Sequence, residues 1–447
     1  MRICLVFLVV GFFSPYFKAC ASEDLLILFS GEELGSLEPC GCFEGQIGGI
    51  SRRYSLVEYY RKQKKQVVPI SLGDMPKGVG RQDEIKMDIL SRALGEMGYA
   101  LHNLGEKDLE IDLQVLSYLS HTNNVNFLSS NVEITSDFAV RTNKYIVKEY
   151  FVSGISIKIA FLGIISQAFV NNSNSEYVNI HDPAESITSF IKKLKDDEID
   201  LIVLLAHASQ EESVDLAKLF PEIELIITGH LVDMPQDSPF FVNNTLIVSP
   251  GTGGKYMGVV KYTVNNKRLE RQSAEIVPLD TNYEDSNVML ALLKEYQQML
   301  REEDLLSTMP QTPLSHGLTY VNSQICGACH KIIYNHWLKT GHATAYHTLV
   351  KVEHQYDPEC IKCHVVGYGY ISGFVNYEKS ANLSDVGCES CHGAGSEHIN
   401  NLNSKYESIG KPGCNVCHDY EHSPKFQYDE YWKRIKHPKE TVKKNNR

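Results

Sequence analysis

Cys326-Gly327-Ala328-Cys329-His330, Cys360-Ile361-Lys362-Cys363-His364, Cys388-Glu389-Ser390-Cys391-His392 and Cys414-Asn415-Val416-Cys417-His418 are four copies of one pentapeptide, Cys-x-x-Cys-His, gathered in the last third of the chain. The spacing is that of covalent haem attachment. Two thiols three positions apart each form a thioether to a haem vinyl group, and the imidazole that follows reaches the iron as proximal ligand. Paired cysteines also make zinc knuckles and disulfides, but neither requires a histidine directly after every second cysteine. The sequence therefore implies four haem c groups. With about 33 residues of chain for each, polypeptide alone cannot fill an interior, and the macrocycles must supply much of it.

Working outward, the 447 residues suffice for two or three domains. A formal net charge of -12, made more negative by haem propionates, argues against nucleic acid as a partner. Of the twelve cysteines, those outside the motifs are Cys4, Cys20, Cys40 and Cys42. Residues 1–21 read as a secretory signal peptide: Arg2 is the charged start, 3–13 are apolar, and Ala19-Cys20-Ala21 is an A-x-A cleavage site. Acylation at Cys20 is the alternative, against which Phe17 and Lys18 stand where small or aliphatic residues belong. No later stretch is apolar for long enough to span a bilayer. Export and covalent haem together place the protein in a bacterial periplasm or on its outer face.

Upstream of the motifs, short apolar runs alternate with amphipathic segments, the pattern of an α/β layered domain over 22–280. Strands are expected at 25–30, 67–72, 125–129, 145–152, 155–165, 201–206, 225–228, 245–249 and 259–264. Helices are expected near 49–64, 83–97, 109–120, 182–196 and 210–219. So many strands imply two sheets with helices outside. A helix and a polar, proline-containing linker follow over 281–315, and the multihaem domain takes 316–447.

Several strands run into polar residues where α/β proteins place their sites: Gly73-Asp74, Ala206-His207 and Gly229-His230. Order and spacing resemble the metallophosphatase domain of the 5'-nucleotidase group, which implies a four-layer αββα sandwich and a two-metal centre. On that resemblance Asp74, His207 and His230 fall on ligand positions and imply one divalent metal. The departures are equally plain. The first strand runs into Ser30-Gly31-Glu32-Glu33 where the group has Asp-x-His, and Gly105-Glu106-Lys107-Asp108 replaces Gly-Asn-His. Gly229-His230-Leu231-Val232 lacks the second histidine, and Lys107 would bring a positive charge to the centre. A two-metal hydrolytic site needs ligands on both ions, so the implied state is a degenerate scaffold. Asp74 as a helix cap and the histidines as rim residues are the plain structural readings.

Cys40 and Cys42 lie in Glu38-Pro39-Cys40-Gly41-Cys42, ahead of Gly48-Gly49-Ile50-Ser51-Arg52-Arg53. Similar stretches occur in secreted metallophosphatase-like proteins that carry haem domains. A disulfide, a thiolate metal site and a redox or sulfur-handling dithiol all fit the pair.

The flanks of the haem motifs resemble the tetrahaem cytochrome c-554 family: Trp337-Leu338-Lys339-Thr340-Gly341-His342, Val386-Gly387-Cys388 through Gly395-Ser396-Glu397-His398, and Tyr431-Trp432-Lys433-Arg434-Ile435-Lys436-His437. The resemblance implies a mainly α domain with little regular secondary structure and redox partner proteins. It also implies His342, His398 and His437 as distal ligands of three haems. The haem on Cys360 and Cys363 would be five-coordinate, unless His347 or His354 fills the position. Three functions follow as expectations: electron carriage between redox partners, reduction of a small nitrogen or sulfur compound at an open haem or at Cys40/Cys42, and metal-dependent phosphoester hydrolysis.

Overall fold

The computed structural model describes residues 24–439 apart from 40–44, 123–124, 136, 170–175, 196, 231–233, 236–238, 405 and 407–409. The signal-peptide stretch 1–21 with Cys20, and the pair Cys40 and Cys42, lie outside the described residues.

The strand Asp24–Ser30 sets the architecture because it is apolar on both faces. Successive side chains point to opposite sides of a sheet. Leu25, Ile27 and Phe29 enter a core shared with Ile159, Phe161, Val203 and Leu205 of a second sheet. Leu26 and Leu28 turn the other way, into a layer of helices. The first sheet has seven strands in the order Arg268–Pro278, Tyr256–Asn265, Asp24–Ser30, Gln66–Ser71, Leu101–Asn103, Phe127–Leu128, Thr142–Asn143. The second has six, in the order Phe240–Val242, Thr245–Val248, Leu225–Thr228, Leu201–His207, Ile155–Ile165, Ile146–Val152.

Ile50–Lys62 and Arg81–Glu96 cover the outer face of the first sheet, where Leu56, Ile89 and Leu94 are buried. Pro183–Leu194 and Gln210–Leu219 cover the second through Ile187, Phe190 and Leu216. The result is the expected αββα sandwich.

The sequence reading misses the short strands Leu101–Asn103, Val132–Ile134, Thr142–Asn143, Val178–Ile180 and Phe240–Val242, and two longer elements also differ from it. Arg268–Pro278 is a strand the charge pattern conceals. It is the edge of the first sheet, carries Arg268, Glu270, Arg271 and Glu275, and pairs with Tyr256–Asn265. An edge strand tolerates, and is protected by, such charges. The helix expected at 109–120 is two, Glu106–Glu110 and Leu113–Thr122, because Ile111 is extended and Asp112 accepts a hydrogen bond from the Gln114 amide at 2.7 Å.

The helix Asn287–Glu302 lies against the N-terminal sandwich, burying Met289, Leu292, Leu293, Tyr296 and Leu300 beside helices Ile50–Lys62 and Arg81–Glu96. Beyond it the described residues form short helices, among them Ser323–Cys329, Pro358–His364, Cys388–His392 and Gly410–Cys414. Each of these four contains or ends within an attachment motif. Their apolar contacts reduce to one small cluster around Tyr346, Ile361, Val365 and Phe374. Among the described residues no helix is long and apolar enough to cross a membrane.

Candidate functional site

Four parallel strands of the two sheets deliver one cluster at their C-terminal ends, the usual place for a site in such a fold. Asp74 follows Gln66–Ser71, Glu106 follows Leu101–Asn103, His207 ends Leu201–His207, and His230 follows Leu225–Thr228. One ligand atom from each lies within 4.8 Å of all the others. His207 Nε2 is 2.5 Å from Glu106 Oε2 and 3.4 Å from Asp74 Oδ2. His230 Nδ1 is 3.3 Å from His207 Nε2 and 3.5 Å from Glu106 Oε1. Glu32 is buried beside them, its Oε1 4.0 Å from His230 Nδ1. The Phe169 ring stacks on His230, the one partly exposed member of the cluster, with centroids 3.6 Å apart.

The backbone is bent to make this possible. Asp74 has a left-handed φ of 57°, which costs energy for a residue with a side chain. The turn is held by Asp108, whose carboxylate accepts from the amides of Asp74 at 2.8 Å, Met75 at 3.0 Å and Gly105 at 2.9 Å. Asp108 is fixed in turn by His102 Nε2 at 3.0 Å. Gly105 has to be glycine, since a Cβ there would fall 2.1 Å from Asp74 Oδ1.

Charge in this cluster is unbalanced. Burial pushes the Asp74 carboxyl well up, and the neighbouring Asp108 and Glu106 add to the push against the pull of His207. Burial works to depress the His207 imidazole, but Asp74, Glu106 and Glu32 outweigh it and lift it to about 9. Three buried acids thus crowd one imidazole, an arrangement a metal cation would neutralise. Two imidazoles with two carboxylates are a donor set for one first-row ion.

Asp74, His207 and His230 are therefore brought together as one group. Glu106 is the residue that sequence reasoning misses: its place reads as a lost asparagine, although a carboxylate is itself an oxygen ligand. Lys107, expected to bring positive charge to the centre, instead directs its ammonium to Glu110 at 3.2 Å, while its amide donates to Asp74 Oδ1 at 2.9 Å. Glu33, next to Glu32, is committed to the fully buried Arg53 at 2.8 Å.

The second centre is the haem-motif region. None of its eight cysteines is in a disulfide. Two imidazoles bound to one iron at about 2 Å each have ring centroids about 6 Å apart. Three histidine pairs meet that requirement: His330 and His398 at 6.3 Å, His342 and His418 at 6.2 Å, His392 and His437 at 6.1 Å. His364 has no such partner among the described residues. Its Nδ1 donates to the Ala345 carbonyl at 2.7 Å, which fixes the ring and leaves Nε2 for the iron. His354 is bound to Glu38 at 3.2 Å, and His347 is exposed.

A cavity of about 1140 Å³ runs beside Cys360, Cys363, His364, His342, Cys417 and His418, and its far wall is the N-terminal sandwich at Leu34, Gly35, Glu38, Lys77 and Lys86. The paired imidazoles and this cavity fit haem.

Sulfur positions order the motifs in space. Cys326 and Cys388 lie within hydrogen-bonding reach of each other, as do Cys363 and Cys417, and the helix Cys388–His392 packs against Gly410–Cys414. The motifs therefore follow the spatial order Cys326/Cys329, Cys388/Cys391, Cys414/Cys417, Cys360/Cys363, which is not their order in sequence.

Comparisons with known proteins divide along the same line. Residues 325–393 match the family model described as cytochrome c554 and c-prime. Cytochrome c-554 of Nitrosomonas europaea is 30% identical over 149 residues, covering 25% of this chain and 60% of that protein. The 5'-nucleotidase of Vibrio cholerae is 24% identical over 342 residues, 64% of this chain and 60% of the relative. Among solved structures, a 5'-nucleotidase precursor from Thermus thermophilus superposes with a TM-score of 0.53 at 18% identity, covering 65% of this chain and 61% of its own. The calcineurin-like phosphoesterase YfkN from Bacillus subtilis gives 0.53 at 19% identity, covering 63% of this chain and 98% of its own. These structures share the fold of the N-terminal half. The chain spans about 60% of the length of the Nitrosomonas and Vibrio relatives.

Proposed function

We propose that the chain, joining a cytochrome c-554-like region to a phosphoesterase-like fold, is an exported periplasmic electron carrier with four haem c groups. The observation that carries this reading is the set of three imidazole pairs at 6.1 to 6.3 Å beside a fourth motif histidine that pairs with no other imidazole among the described residues. Haem c supplies reversible one-electron chemistry, and the protein sets spacing, ligands and dielectric. Cys326/Cys329, Cys360/Cys363, Cys388/Cys391 and Cys414/Cys417 anchor the four groups, with His330, His364, His392 and His418 as proximal ligands. His398, His437 and His342 are the distal ligands on the first, third and fourth motifs. The contiguity of the attachment sulfurs supports a continuous relay ending at Cys360/Cys363, against the N-terminal sandwich, which serves as its scaffold.

Electron paramagnetic resonance of the oxidised holoprotein tests the reading. Three low-spin irons and one high-spin iron are expected; four low-spin signals would mean that His364 has found a partner. A second reading, reduction of a small nitrogen or sulfur compound at the Cys360/Cys363 haem, is favoured by the cavity on that side. Steady-state turnover of nitric oxide, hydroxylamine or tetrathionate separates it from simple carriage. Phosphoester hydrolysis has less support, since Ser30-Gly31-Glu32-Glu33 stands in place of Asp-x-His and Gly105-Glu106-Lys107 in place of Gly-Asn-His.

A further inference from the structure

The metal cluster and the haem cavity are two sides of one strip of backbone. On one arm Glu32, which adjoins His230, is followed two residues later by Leu34 and then Gly35, both of which line the cavity. On the other, Asp74 is followed by Met75 and Pro76 and then by Lys77, which also lines it. The arms are laced together: the amide of Glu32 donates to the Gly73 carbonyl at 2.7 Å, Leu34 to Asp74 at 3.1 Å, and Gly35 to Met75 at 2.7 Å. From Asp74 to Lys77 is no more than about 11 Å of extended chain at about 3.6 Å per residue. A ligand residue of the cluster is thus joined to the cavity wall by its own carbonyl and one hydrogen bond.

We infer that Asp74, Glu106, His207 and His230 hold a single redox-active first-row ion, iron or manganese, and that the laced segments 32–35 and 73–77 couple it to the haem carried by Cys360 and Cys363. The inference rests on the haem reading of that motif and goes beyond it by assigning the N-terminal half an electron-accepting centre. Two imidazoles with carboxylates suit iron, manganese and zinc alike, and the position at the end of a haem relay is what selects the redox-active members. The step is a one-electron exchange. A ferrous haem iron is oxidised to ferric as the trivalent ion at the cluster is reduced to divalent, with no bond made or broken. The electron enters the haems from an external one-electron donor protein.

Full-length holoprotein is analysed for metals and then titrated with reduced flavodoxin, a donor too bulky to reach the buried cluster directly. Haem absorbance and the electron paramagnetic resonance of the non-haem ion are followed together. One non-haem iron or manganese per four haems is expected, and its signal should change as the haem bands reduce. The double variant Glu106→Ala/His230→Ala should lose that ion while keeping four haems and an unaltered haem spectrum. Zinc at the cluster, or no ion, would overturn the inference. So would a redox-active ion that stays oxidised while every haem reduces. Fewer than four haems would instead sink the haem reading, and this inference with it.

Discussion

The two halves of this chain fill their interiors by different means. In the N-terminal half, three apolar clusters built from strands and helices bury nearly every Leu, Ile and Val of the central strands. In the C-terminal half one small cluster does this, while Ile325, Ile332, Leu338, Val352 and Val416 remain exposed. The first half is a fold that side chains can stabilise by themselves. The second is a set of short helices arranged around space that porphyrin would occupy, because too little apolar polypeptide is buried to offset the entropy of ordering it.

Preventing haem attachment should therefore break the two halves apart, and no other perturbation of the chain is expected to have so large an effect. With all eight motif cysteines replaced by serine, limited trypsin digestion should destroy the C-terminal half and leave a resistant fragment that ends near the helix Asn287–Glu302. A protease-resistant C-terminal half in that variant would mean that its polypeptide core is sufficient without haem.

A smaller effect is expected at the seam. Asp357 accepts hydrogen bonds from Tyr296 at 3.0 Å and Gln82 at 2.8 Å, both on helices of the sandwich, and from the Glu359 amide at 2.8 Å, where it caps the helix that carries Cys360 and Cys363. Asp357→Ala removes the cap and takes away the acceptor of the Tyr296 hydroxyl proton, although Gln82 still donates to that hydroxyl at 2.8 Å, at a cost of about 2 kcal/mol. Thermal unfolding followed simultaneously by circular dichroism and haem absorbance should show one shared transition in the parent chain and two separated ones in the variant. Coincident transitions in both would mean that Asp357 does not join the halves.

The same contrast explains what is legible in the sequence. Leu25-Leu26-Ile27-Leu28-Phe29 announces a strand buried on both faces, and the two sheets follow from it. The strand Arg268–Pro278 does not announce itself, because an edge strand is specified by its partner's backbone and keeps its charges in water. Asp74, His207 and His230 can be read as polar residues at strand ends. Glu106 cannot, because its strand, Leu101–Asn103, is three residues long, and because a change of ligand type looks like a loss when judged against a motif. In the haem half the histidines are legible as ligands by type. Which pairs with which is not, since His330 and His398, or His392 and His437, meet only through the tertiary fold.

The finest test of the seam is its pH dependence. His354, from the haem half, is hydrogen-bonded to Glu38 of the sandwich, and that bond outweighs burial to raise the imidazole above its ordinary value, with Asp357 and Glu353 adding to the effect. A histidine raised on folding stabilises the folded state fully at pH values below its unfolded pKa of about 6.5 and loses that contribution as pH rises through the folded value. The clamp should accordingly be strongest below about pH 6.5 and weaken as pH rises above it. For a partly exposed ion pair the difference is roughly 0.5 kcal/mol. His354→Gln should flatten this component of the stability profile without changing the haem spectrum. A changed haem spectrum would instead place His354 on an iron, and with it the missing partner of His364.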